Sequence, residues 1–154
     1  MKAISVQNLT KQFGAFTAVD HITFDVSQGE IFGFLGANGA GKTTAMRMLC
    51  GLSMPTSGDA IVAGYDLYKQ AEEIKKSIGY MSQKFSLYED LTIKENIRFY
   101  GGIYGLTNAE IKEKTERLAV TLRIEDKLNA LVRSLPLGWK QKLSFSVAMI
   151  HDPK

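Results

Sequence analysis

Residues 36–44 of this chain are Gly36, Ala37, Asn38, Gly39, Ala40, Gly41, Lys42, Thr43 and Thr44. They match the pattern G-x-x-x-x-G-K-[ST], in which glycines let the backbone curl so that its N–H groups face phosphate oxygens. The apolar segment Glu30 to Leu35 predicts a strand buried on both faces before this loop, and Lys42 to Cys50 predicts a helix after it. A loop in this context predicts a site for the triphosphate of ATP.

The side chains at the end of the loop each have an expected task. Lys42 is expected to reach the β- and γ-phosphates, and the hydroxyl of Thr43 to ligate Mg²⁺. The hydroxyl of Thr44 is expected to donate a hydrogen bond to a phosphate oxygen, while the helix presents its positive N-terminal end to the anion. The loop alone does not separate kinases, GTPases and transport ATPases, but the guanine-reading pattern N-K-x-D does not occur in the sequence.

The composition is that of a globular domain of ordinary size. The chain has 154 residues, 45% hydrophobic and 23% charged, and its net charge of +3 is not concentrated in one segment, so we expect no nucleic-acid partner. Cys50 is the only cysteine, which excludes an internal disulfide, fits a reducing cytoplasm and predicts a buried helix end. No run approaches the ~20 apolar residues of a membrane span, so spanning helices would come from another chain or segment.

Strand signals dominate the first half of the chain, and helix signals dominate the second half. β-Branched and aromatic residues in part-alternation predict strands, which we place at 3–9, 22–26, 59–63 and 77–81. Thr92 with Glu95, and Thr107 with Glu110, have the spacing of capping boxes and predict two helix starts. A last helix is predicted from about Gly138 to Ile150.

The segment Phe32 to Thr44 resembles the phosphate-binding (Walker A) region of ABC ATPases, especially those of drug- and ion-exporter type, and the resemblance covers the whole chain. Thr10 to Gly14 resembles the A-loop of that family, which would give Phe13 the task of stacking on adenine. Without the resemblance, Phe13 would be assigned to the core. Gly79 to Gln83 resembles the Q-loop, which would give Gln83 a contact to Mg²⁺ or its water and a part in coupling to transport; otherwise Gln83 is an ordinary polar residue at a strand end.

This resemblance implies an α/β fold: a P-loop NTPase core with an N-terminal antiparallel β part and a helical subdomain, ending before the Walker B strand. It makes residues 1–154 a partial ABC nucleotide-binding domain, with the ATP-binding core and β subdomain in 1–88 and the helical subdomain in 89–150. It implies ATP and Mg²⁺ as cofactors. It also implies a membrane-spanning transporter subunit and a second nucleotide-binding domain as partners, and a cytoplasmic position, peripheral on the inner face of the cell membrane.

One motif of the family is altered. Its LSGGQ motif, which caps the γ-phosphate bound to the opposite subunit, aligns with Leu135, Pro136, Leu137, Gly138 and Trp139. Pro136 replaces the serine and has neither a hydroxyl nor an N–H to donate. Leu137 replaces the first glycine and adds bulk where backbone would approach phosphate. Some exporter-type members of the family are similar here.

The catalytic residues of the family, namely the Walker B Asp, the catalytic Glu and the switch His, lie on segments that would follow position 154. The strand that carries the first two is expected to neighbour the strand before the phosphate loop. We therefore expect these 154 residues to bind ATP without hydrolysing it. Two alternatives stay open: a regulatory module that holds ATP without turnover, and an ABC ATPase of translation or DNA repair, although the long inserted arms expected of the latter are not visible.

Overall fold

The computed structural model describes residues 1–82 and 87–154, which group into two compact units, Met1–Ile78 together with Lys154 and Gly79–Pro153. The first unit contains four strands and two helices, in the chain order β1 (Lys2–Phe13), β2 (Phe16–Ser27), α1 (Lys42–Leu49), β3 (Ser57–Val62), β4 (Tyr65–Asp66) and α2 (Ala71–Ser77). The second unit contains α3 (Ile93–Ile103), α4 (Asn108–Leu122) and α5 (Leu137–Ala148), with short 3₁₀ turns at Glu125–Lys127 and Val132–Ser134. The predicted division at 88/89 stays a prediction.

The strands of the first unit form one antiparallel sheet in the order β2-β1-β3-β4. The chain reverses between β1 and β2 at Gly14, whose φ of +59° is the left-handed conformation that glycine adopts without strain, and this places Phe13 opposite Phe16. Val6 and Leu9 of β1 are buried in one hydrophobic core with Ala45 and Met48 of α1. The expected α/β class with an N-terminal antiparallel part is confirmed.

The strand predicted over Glu30 to Leu35 is wrong. This segment is irregular, and the side chains of Ile31 and Leu35 are 100% and 94% exposed. A strand needs a neighbour that pairs with its N–H and C=O groups, and no described strand pairs with this segment. Its aromatic residue Phe32 instead stacks on Phe24 of β2, with 5.2 Å between ring centroids. The strand predicted over 77–81 is also wrong, since Ser77 ends α2 and the described residues after it are irregular.

The helices of the second unit begin where the sequence predicts. Thr92 caps α3 and Thr107 caps α4, each as a reciprocal capping box with the glutamate three residues later. The apolar faces of α3, α4 and α5 meet in a core that includes Ile97, Leu118 and Leu143. Across residues 1–82 and 87–154, no helix combines the length and the apolar character that spanning a bilayer requires.

Candidate nucleotide-binding site

The loop at 36–44 is curled by two glycines in the left-handed conformation. Gly39 has a φ of +82° and Gly41 a φ of +81°, and Gly41 is the residue that caps α1. The N–H of Ala40 donates to the carbonyl of Ala37 across the bend at 3.2 Å. The N–H of Ala45 donates to the carbonyl of Gly41 at 2.9 Å and closes the first turn of the helix. The loop therefore ends directly on the N-terminus of α1, where free backbone N–H groups favour an anion.

The two glycines differ in what surrounds them. A Cβ atom at Gly41 would lie 2.0 Å from the carbonyl oxygen of Ala18 and 3.2 Å from Cγ2 of Val19, so the loop is pressed against β2 at this point. A Cβ atom at Gly39 would meet nothing within 4 Å. Gly41 thus anchors the loop to the sheet, whereas Gly39 borders open space that a polyphosphate could occupy.

Lys42 is held inside the loop that precedes it. Its ammonium group donates to the carbonyl oxygens of Gly36 at 2.5 Å and Ala37 at 2.6 Å. These bonds keep the cationic group at the mouth of the loop and leave one of its three N–H donors for a phosphate oxygen. The hydroxyls of Thr43 and Thr44 make no hydrogen bond to a described residue, and Thr43 is exposed.

A cavity of about 410 Å³ lies beside the loop and faces β2. Its lining combines loop backbone with strand side chains: Phe16, Asp20, Phe34, Gly39, Ala40 and Gly41. The volume lies in the range of small-molecule sites. The carboxylate of Asp20 lies 2.5 Å from Nδ1 of the neighbouring His21.

The sequence pointed to Phe13 for the adenine, and the structure places it beside a second aromatic residue that sequence analysis missed. Phe13 is 55% exposed, so it is not a core residue, and the ammonium of Lys11 lies 5.2 Å from its ring centroid. Phe16, opposite Phe13 across the hairpin, is exposed and is the residue of this pair that lines the cavity. The missed signal was the pair of phenylalanines flanking the turn at 14–15.

The residues of the loop offer several hydrogen-bond donors to a polyphosphate, but few ligands to Mg²⁺. The open backbone at Gly39, the Lys42 ammonium and two uncommitted hydroxyls are donors for phosphate oxygens. Within 1–82 and 87–154 there is no group of three or more His, Cys, Asp or Glu side chains that could hold a metal ion. A bound Mg²⁺ would therefore depend on Thr43 and on the phosphates of the nucleotide itself. Gln83, the other expected ligand, lies outside the described residues.

The signature-like segment belongs to the second unit, whereas the phosphate loop belongs to the first. Pro136 caps α5, and its carbonyl accepts hydrogen bonds from the N–H groups of Trp139 at 2.9 Å and Lys140 at 3.0 Å. Leu137 is 66% exposed, and Gly138 follows it in the first turn of the helix.

Trp139 is half-buried, and the ammonium of Lys142 lies 5.2 Å from its ring centroid. Leu135 packs on the core of the unit.

Cys50, at the end of α1, is buried as predicted. Burial raises the pKa of its thiol above the ordinary value, because a thiolate loses hydration in apolar surroundings. A raised pKa lowers the fraction of nucleophilic thiolate. Cys50 is therefore a packing residue of the helix that follows the loop.

Comparisons of this sequence and structure with known proteins all point to one family. The family model described as "ABC transporter" matches residues 19–154. The chain is 45% identical over 150 residues to the "Probable multidrug ABC transporter ATP-binding protein YbhF" of Escherichia coli, covering 97% of this chain and 26% of that protein. It is 36% identical over 150 residues to the "Nod factor export ATP-binding protein I" of Cupriavidus metallidurans, covering 97% of this chain and 50% of that protein.

A solved structure described as "ATP binding subunit of ABC transporter" superposes with a TM-score of 0.83 at 30% identity, over 98% of this chain and 63% of that one. The chain thus spans between about a quarter and a half of the length of these two curated relatives.

Proposed function

Since the chain belongs to the ABC transporter family, we propose that it is the nucleotide-binding front of an ATP-binding subunit that serves export. The observation that carries the proposal is the curled loop at 36–44, with Lys42 at its mouth and α1 directly after it. Export is supported by the names of two relatives, a multidrug ABC transporter ATP-binding protein and a Nod factor export ATP-binding protein.

In this proposal each part of the nucleotide has its own contacts. The triphosphate lies along the backbone of Gly39 and Gly41. Lys42 gives up a hydrogen bond to a carbonyl of the loop and donates to the β- and γ-phosphates instead. The hydroxyl of Thr43 ligates Mg²⁺, and the hydroxyl of Thr44 donates a hydrogen bond to a phosphate oxygen. Phe13 stacks on the adenine. The role of Gln83 as a contact to Mg²⁺ or its water is part of the same proposal.

The family hydrolyses ATP, and we propose that these 154 residues bind it without turnover. Hydrolysis requires a group that positions and polarises the attacking water. Asp20 is the carboxylate that lines the cavity beside the loop, and its partner is the exposed His21. Because Asp20 contacts His21 and lies on the strand side of the loop, we do not assign it as the base that activates the attacking water.

The proposed partners are a membrane-spanning transporter subunit and a second nucleotide-binding domain, with the complex at the cytoplasmic face of the membrane. Residues 1–88 would supply the ATP-binding core with its β subdomain, and residues 89–150 the helical subdomain. In the dimer, the segment 135–139 would face the γ-phosphate of the opposite domain. The name of the E. coli relative, a transporter ATP-binding protein, supports the first of these partners.

Equilibrium dialysis with radiolabelled Mg-ATP, followed by measurement of released phosphate, tests the proposal. We expect retention of ATP by the chain, loss of retention in Lys42→Ala, and the same phosphate release from both. The control Lys69→Ala removes an exposed lysine that lies outside the loop. Equal retention by all three proteins would contradict the site. A turnover that depends on Lys42 and approaches the ~1 s⁻¹ typical of enzymes would contradict binding without hydrolysis.

A further inference from the structure

A second cavity of about 410 Å³ lies in the unit Gly79–Pro153, along the helices α3 and α4. Helix α3 contributes Lys94 and Arg98, which are four residues apart and therefore share one face. Helix α4 contributes Asn108 and Lys112 with the same spacing. Two helices thus bring three cationic side chains and an amide to one opening. Its volume suits a small molecule.

The charge of this cavity is not neutralised by the protein. Glu116 is the one carboxylate in the lining, so three cations against one anion leave a net charge of +2. Among the described residues, the charged side-chain groups of Lys94, Arg98 and Lys112 have no hydrogen-bond or ion-pair partner.

The other cations of α4 are paired. Arg117 contacts Glu113 at 2.7 Å, and Lys114 contacts Asp152 at 2.5 Å. The uncompensated cations on α3 and α4 are therefore concentrated at the cavity.

The floor of the cavity is apolar. Ile111 is buried there, and Leu128 is half-buried. Thr115 donates its hydroxyl hydrogen to the carbonyl of Ile111 at 2.6 Å, so its donor is satisfied within the helix. A fitting ligand would place an apolar group on this floor and an anionic group among the cations.

We propose that the cavity along α3 and α4 binds a soluble small molecule that carries a phosphate monoester on an apolar or aromatic body. A phosphate monoester has a charge of about −1.5 to −2 at neutral pH and three acceptor oxygens, which matches the net charge of +2 and the three free cations. A single carboxylate would compensate only half of that charge. The planar guanidinium of Arg98 can donate two parallel hydrogen bonds to such a group. The proposal does not depend on ATP binding at residues 36–44.

Titration of the ¹⁵N-labelled chain with phenyl phosphate, followed by amide NMR signals, tests this site. The measurement is made on the Lys42→Ala variant, so that phosphate binding at the loop is weakened, and the spectra separate the two places residue by residue. We expect the largest shifts at Asn108, Lys112 and Leu128, saturating at lower concentration than with inorganic phosphate, which lacks the apolar body. The absence of saturable shifts along α3 and α4 would overturn the proposal, as would equal affinity for the two anions.

Two matched substitutions test the charge. Arg98→Gln should weaken binding of phenyl phosphate about tenfold or more, the effect expected for loss of a hydrogen bond to a charged group. Arg117→Gln removes the same charge from α4 outside the cavity and should leave the affinity unchanged. If both substitutions weakened binding of phenyl phosphate equally, the ligand would be attracted by the net charge of the helices and not by this cavity, and the proposed site would be overturned. Binding to vesicles that contain phosphatidic acid, with none to phenyl phosphate, would overturn the assignment to a soluble ligand.

Discussion

Substitution of Gly41 by alanine tests the attachment of the phosphate loop to the sheet. The left-handed conformation of Gly41, with φ at +81°, costs ~1–2 kcal/mol for a residue that has a Cβ. The new Cβ would also lie 2.0 Å from the carbonyl oxygen of Ala18, which is backbone and yields only by moving the strand. Forcing an extra methyl group into packed surroundings costs about 1–3 kcal/mol. The two costs together predict a loss of ~2–5 kcal/mol in the free energy of unfolding.

Gly39→Ala is the matched control for this prediction. Gly39 has the same conformation, with φ at +82°, but nothing within 4 Å of the added Cβ, so only the conformational cost of ~1–2 kcal/mol applies. Urea unfolding followed by far-ultraviolet circular dichroism measures both variants. We expect Gly41→Ala to be the less stable protein by at least about 1 kcal/mol. Equal stabilities would refute the close contact between the loop and β2.

Three further predictions concern the adenine site, a helix cap and the signature-like segment. Phe13→Ala should weaken ATP by ~1–3 kcal/mol, the scale of base–aromatic stacking, and tripolyphosphate much less in calorimetry; equal losses for both ligands would argue against stacking. The backbone N–H of Thr92, and to a smaller extent its hydroxyl, donate hydrogen bonds that hold the pKa of Glu95 below its ordinary value of 4.5. The ionised Glu95 therefore stabilises the fold above pH 4.5, and this stabilisation is lost as the pH falls through the lowered pKa of the folded state. Glu95→Gln should therefore reduce the fall in thermal stability between about pH 6 and about pH 3.5, and an unchanged profile would contradict this. In the whole subunit, Pro136→Ser should preserve or strengthen ATP-dependent dimerisation measured by sedimentation, because it restores a hydroxyl donor, and weaker dimerisation would count against the alignment of 135–139.

The elements that the sequence predicts correctly are those specified by neighbours along the chain. Helix α1 begins at Lys42 and ends before Gly51, whose φ of +69° is a conformation that glycine adopts without strain. The capping boxes at Thr92 and Thr107 are each complete within four residues, so the pattern and the structure agree. The burial of Cys50 follows from its position at the end of α1.

The features that the sequence did not predict depend on distant partners. Residues 30–35 have the composition of a buried strand, but composition does not supply the neighbouring strand, and without one among the described residues the segment stays irregular. The place of Phe16 beside the loop depends on the register of the β1–β2 hairpin and on the packing of the loop on β2. The cavity along α3 and α4 brings together Lys94 and Lys112, whose proximity no local pattern indicates.

The central claim, that ATP binds at residues 36–44, is tested most directly by titrating the ¹⁵N-labelled chain with Mg-ATP and following each amide signal. We predict saturable shifts that are largest at Gly39, Gly41 and Lys42, since their N–H groups would face the phosphates. In Lys42→Ala the affinity should fall tenfold or more, on the order of the 1.5–3 kcal/mol of a charge-assisted hydrogen bond. Saturable binding that leaves the amides of 36–44 unshifted, or an affinity that Lys42→Ala does not change, would contradict the claim.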